Sequence, residues 1–81
     1  GKLMGKRKLL FVPKGETPDG KIQRYSVYED GKAFYISGPN FYQHLCHPSV
    51  KNHEDIKREI SIVFNVKVTK IEFPQFSHRE G

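Results

Sequence analysis

The chain has 81 residues, enough for one domain with a modest core spanning 1–81 and too few for two. Six Phe, four Tyr and a charged fraction of 28% exclude a low-complexity disordered segment. The net charge of +5 is unevenly placed: residues 1–14 hold five bases (Lys2, Lys6, Arg7, Lys8, Lys14) and no acid, whereas residues 15–81 hold nine of each.

That basic segment beside a neutral body suits nucleic acid or another anionic surface. The alternative is a solvated edge strand whose lysines discourage sheet-to-sheet aggregation. The single cysteine, Cys46, leaves no intramolecular disulfide framework and points to an intracellular, cytoplasmic or nuclear, protein. The longest apolar run, residues 9–12, is far below the roughly 18 residues of a membrane span. No membrane partner is expected. Residues 1–5 read as a non-native leader or a disordered basic arm.

Residues 9–12 predict a strand without polar alternation, covered on both faces and ending at Pro13. Residues 14–20 (KGETPDG) are turn formers and predict a surface loop. The clearest local signal is residues 22–37, where two runs of aromatic and β-branched residues flank Asp30-Gly31. A two-residue turn there pairs Glu29 with Lys32, Val27 with Phe34 and Tyr25 with Ile36. Side-chain alternation then gathers Tyr25, Val27, Phe34 and Ile36 on a core face. Arg24, Ser26, Tyr28, Ala33, Tyr35 and Ser37 share the opposite face.

Gly38-Pro39 closes the hairpin, and Asn40 reads as the cap of a short helical turn to about His47, burying Phe41 and Leu45. Pro48 stops it. A longer helix follows, capped by Asn52, with Glu54 and Asp55 in its first turn and an outer Glu54–Arg58 pair. Its buried stripe is Ile56, Ile60, Val63 and Phe64, and Asn65 is its left-handed stop. Residues 66–73 predict a last strand whose two halves alternate in opposite phase, which a bulge near Thr69-Lys70 reconciles. Residues 77–81 read as a frayed tail. The fold class is α+β: an antiparallel or mixed sheet of about four strands, in β-β-β-α-β order, with one helix across a face.

Four histidine and cysteine side chains, His44, Cys46, His47 and His53, crowd into ten residues. On a helix Cys46 points away from His44 and His47, so the spacing predicts no metal site and no cofactor, and added zinc is expected to leave the melting temperature unchanged. His44 or His47 with Lys51 or Arg58 would be the acid–base set of a small ribonuclease, but nothing in the spacing makes them converge. The leading reading is therefore a non-catalytic nucleic-acid-binding domain, DNA or RNA, using Lys6, Arg7, Lys8 and Lys14 on phosphates. Arg24, Tyr28 and Tyr35 would form a hairpin face for bases, unless residues 41–46 or Phe76 cover the tyrosines. The second reading is a protein-interaction module or small inhibitor docking on an acidic partner surface.

Overall fold

The computed structural model describes residues 7–31 and 33–74. The expectations placed on Lys6, Lys32, Phe76 and residues 1–5 and 77–81 lie outside the described residues. The described chain is a six-stranded antiparallel sheet with one helix packed on it. The strands are β1 (Lys8–Glu16), β2 (Ile22–Arg24), β3 (Ser26–Glu29), β4 (Phe34–Ser37), β5 (Gln43–Leu45) and β6 (Lys67–Glu72), and the helix is α1 (His53–Phe64). Their spatial order is β2-β1-β3-β4-β5, with β6 also paired to β1. No described helix is long and apolar enough to cross a membrane.

Strand β1 organises the sheet. Its first half pairs with β3, and its second half lies between β2 and β6. It runs through Pro13 rather than ending there, which corrects both the expected stop and the expected loop from Lys14. A proline lacks the donor that a ladder needs, so it is tolerated where the ladder is interrupted. Pro13 sits where β1 changes partner from β3 to β2, and its carbonyl still accepts from the Tyr25 N–H at 2.9 Å. The same interruption divides the expected single strand of residues 22–29 at Tyr25. Nor is β1 covered on both faces: Phe11, Pro13 and Gly15 are buried, whereas Val12 and Lys14 between them, and Leu10 before them, are partly exposed.

The β3–β4 hairpin forms with its register displaced from the expected one. Val27 pairs with Ile36, Tyr28 with Tyr35 and Glu29 with Phe34. The Asp30 N–H donates to the Ala33 carbonyl and the Ala33 N–H to Asp30 Oδ1, closing a wider loop than an Asp30-Gly31 turn. The displacement is two residues, so every side chain keeps its face. Tyr25, Val27 and Ile36 are buried as expected, and Phe34 packs at the rim of the core.

The expected helical turn over residues 40–47 is replaced by a 3-10 turn, Pro39–Phe41, followed by β5. Asn40 and Phe41 both have left-handed backbone (φ 60° and 61°), which cannot propagate a right-handed helix. Phe41 and Leu45, the expected buried pair, are 97% and 57% exposed. Conversion of this segment to β5 and the break at Tyr25 raise the strand count from about four to six.

Helix α1 matches its expected bounds. Asn52 Oδ1 accepts from the Asp55 N–H, and Asp55 Oδ2 accepts from the Lys51 N–H, a reciprocal cap on the first turn. Asn65 is left-handed, as expected. Ile56 and Ile60 are fully buried against Phe11, Val27 and Ile36, with Phe64 partly buried beside them. The outer pairs are Glu54–Lys57 and Asp55–Arg58, one residue closer in spacing than the expected Glu54–Arg58. The bulge in β6 falls at Thr69, between the pairs Lys14–Lys70 and Gly15–Val68.

The cap has a pH signature. The Lys51 backbone N–H, then Arg58, holds the Asp55 carboxyl below the usual carboxylate range. A depressed folded pKa contributes stability that is fully present above the unfolded value of about 3.9 and is lost as pH falls through the folded one. Asp55→Asn is therefore expected to flatten the acid limb of a melting-temperature profile while leaving its slope above neutral pH unchanged.

Candidate nucleic-acid interface

The antiparallel register turns sequence alternation into a surface. Leu9 pairs with Tyr28, Tyr28 with Tyr35 and Tyr35 with Leu45, a row crossing β1, β3, β4 and β5. It alternates with Val27 and Ile36, which pack with α1, so the row belongs to the face away from the helix. Within residues 41–46, expected as a possible cover for the tyrosines, Gln43–Leu45 instead extend the sheet as β5. Tyr28 and Tyr35 are half-buried.

Part of the cover on Tyr35 is Arg7. Its guanidinium carbon lies 4.0 Å from the ring centroid, and its Nη1 donates to Gln43 Oε1 at 2.8 Å. The Tyr35 hydroxyl donates to Asp30 Oδ2 at 3.1 Å, which orients the ring.

The same outer phase continues across the second half of β1. Lys14 pairs with Arg24 on one side and with Lys70 on the other. Glu72 sits among these cations, 3.5 Å from Lys14 Nζ, 3.7 Å from Arg24 Nη2 and 3.7 Å from Lys70 Nζ. Lys14, then Lys70 and Arg24, hold its carboxyl below the ordinary range. One carboxylate among three bases leaves the cluster cationic.

Of the residues expected from sequence, Arg7, Lys14, Arg24, Tyr28 and Tyr35 thus share the outer face. Lys8 does not join them: it is opposite Glu29, in the other phase of β1. The sequence reading missed Lys67 and Lys70. Three apart, they fall on opposite faces of a regular strand, and the bulge at Thr69 brings them into one phase, opposite Glu16 and Lys14. The predicted bulge was the signal that could have found them.

The histidines separate. His53 packs against Phe11 with the rings tilted and their centroids 4.6 Å apart, and His47 Nδ1 contacts Ser49. His44 Nε2 meets Glu59 Oε2 of α1 at 2.7 Å. His44 and His47 are thus held by different neighbours, and Arg58 is paired with Asp55. The expectation of no metal site rested on a helix over residues 40–47 and on the want of a second Cys pair or a regular Cys/His spacing to supply further ligands. In β5 the i and i+2 side chains share a side, and His44, Cys46 and Glu59 bring donor atoms within 4.8 Å of one another. Burial, and then the charge of Glu59, push the Cys46 thiol up to about 11.

No protein-family model matches this chain, and neither the curated proteins nor the solved structures yield a significant match.

Proposed function

We propose that this domain binds single-stranded nucleic acid along the outer face of its sheet, without acting on it chemically. The observation that carries the reading is the placement of Tyr28 and Tyr35 in one cross-strand row, with Arg7 over one ring and the Lys14, Arg24 and Lys70 cluster further along the same face. Sheet aromatics offer π-faces to successive bases, and cations beside them neutralise the backbone. Arg7 has two roles in this scheme. It protects Tyr35 in the free protein, and it swings from the ring to a phosphate when a base takes its place.

Affinity should fall steeply with salt, because each neutralised phosphate releases counterions. Replacing Arg7, Lys14 and Arg24 together with Gln is expected to flatten the log–log salt slope by about 2 for a single strand. Tyr28→Ala is expected to leave the slope nearly unchanged and to weaken binding by about 1–3 kcal/mol. Fluorescence anisotropy with labelled oligonucleotides reads both, once circular dichroism has shown the variants folded. Absence of binding to DNA and RNA at low salt would overturn the proposal.

A second reading follows from the sheet's end. Strand β5 is the terminal strand of its path, and Phe41, Tyr42 and Leu45 beside it are exposed. An extended segment of a protein partner could add to that edge by main-chain pairing. Phe41→Ser would weaken such a partner and leave oligonucleotide affinity unchanged.

A further inference from the structure

The second cluster lies on the helix-facing side of the sheet, away from the proposed nucleic-acid face. The Cys46 N–H donates to the Phe34 carbonyl at 2.9 Å, so strand geometry continues one residue past Leu45. This places His44 and Cys46 on one side of the extended strand, facing α1. Glu59 follows from the period of the helix. It directly precedes the buried Ile60 and is three residues beyond the buried Ile56, so its carboxylate emerges at the margin of the core. The His44 and Glu59 side chains are each 22% exposed, and Cys46 is buried beneath them.

We infer that His44, Cys46 and Glu59 form a zinc-binding site with one coordination position left open. Imidazole, thiolate and carboxylate are the three donor types zinc accepts, at bond lengths of about 2.0–2.3 Å. Tetrahedral coordination at those lengths spaces the donors about 3.3–3.8 Å apart. The widest separation here, within 4.8 Å, must close modestly, and the 2.7 Å His44–Glu59 contact must open to admit the ion. Both changes are within the reach of side-chain rotation, because two of the three groups are partly exposed. Binding replaces the sulfur–hydrogen bond of Cys46 by a sulfur–zinc bond, and the proton passes to solvent. The dication balances the thiolate and the carboxylate, two like charges that otherwise oppose each other at close range. Softer sulfur together with nitrogen favours zinc over magnesium or calcium, which take oxygen donors.

Route and selectivity agree with this assignment. Cys46 borders a cleft that also includes Phe34, Leu45, Pro48 and Lys51. His47 and His53 are engaged with Ser49 and Phe11, which leaves the fourth position to water or an added ligand.

Cobalt(II) tests the site, because a thiolate ligand gives a near-ultraviolet charge-transfer band that oxygen and nitrogen donors do not. The reduced protein is expected to develop that band on cobalt titration, lose it when zinc is added, and melt at higher temperature as zinc rises. Cys46→Ser should abolish the band, and Glu59→Gln and His44→Asn should each weaken cobalt affinity at least tenfold. Should Cys46→Ser fail to fold, the other two variants and the band itself carry the test. No band with a titratable thiol present, or a band and affinity unchanged by both Glu59→Gln and His44→Asn, would overturn the assignment.

Discussion

Ile60→Ala is expected to lower the stability of the domain by about 2–5 kcal/mol, whereas Ile62→Ala two residues away should change it by less than about 0.5 kcal/mol. The same side chain is deleted from the same helix in both variants, so helix propensity cancels. Ile60 is fully buried among Phe11, Val27, Ile36 and Ile56, and Ile62 is 71% exposed. Removing the first takes apolar surface out of a packed interface and leaves a cavity that its neighbours refill only in part. Urea midpoints at constant slope measure the difference. Equal shifts in the two variants would mean that α1 meets the sheet through another stripe.

Gly15→Ala is the second large effect, and its cause is steric. A Cβ at Gly15 would stand 2.6 Å from Val66 Cγ2, 3.0 Å from Val66 Cβ and 3.3 Å from the Tyr25 ring. Val66 and Tyr25 are buried and β-branched or planar, so neither can turn aside cheaply. Overpacking at such a site costs about 1–3 kcal/mol. Gly31→Ala makes the informative comparison. It meets nothing within 4 Å, but its φ of +92° is strained for any residue with a side chain. Gly31→Ala should therefore cost about 1 kcal/mol through the backbone alone. Thermal or urea denaturation of the two variants separates crowding from conformational strain. Wild-type stability in Gly15→Ala would show that β6 is free to move away from β1.

What was legible in the sequence depended on how local the cause was. Helix α1 is specified by groups within one or two turns: Asn52 and Asp55 at its start, the Ile56–Ile60 stripe, and Asn65 at its end. The bulge at Thr69 was legible because a phase error in alternation has only a local remedy. Residues 40–47 misled because Phe41 and Leu45, four apart, imitate a helical stripe. Their real conformation depends on β4, which supplies the hydrogen bonds for β5. The displaced hairpin register comes with a hydrogen bond from the Ala33 N–H to the Asp30 carboxylate, a side-chain contribution that turn propensities do not contain.

The candidate site inherited both outcomes. Parity survived the register error, so Arg24, Tyr28 and Tyr35 fall on the face expected of them. The pair His44 and Cys46 had the opposite fate, because a spacing of two diverges on a helix and converges on a strand. Glu59 was invisible to any local pattern, since only tertiary packing brings α1 over β5.

The position of β1 has a further consequence for how the domain comes into being. The first strand described is completed on one side by β3 and β2 and on the other by β6, the last strand described. During synthesis, the second half of β1 waits with a bare edge until residues 67–72 have left the ribosome. Pairings between distant residues carry a loop-closure penalty before they return any packing, which slows folding. The exposed interval runs from Val12 to Glu16 and begins at the end of the most apolar run in the chain, residues 9–12. The lysines that flank that run then act as gatekeepers of the nascent chain, repelling other copies until β6 arrives to cover the edge.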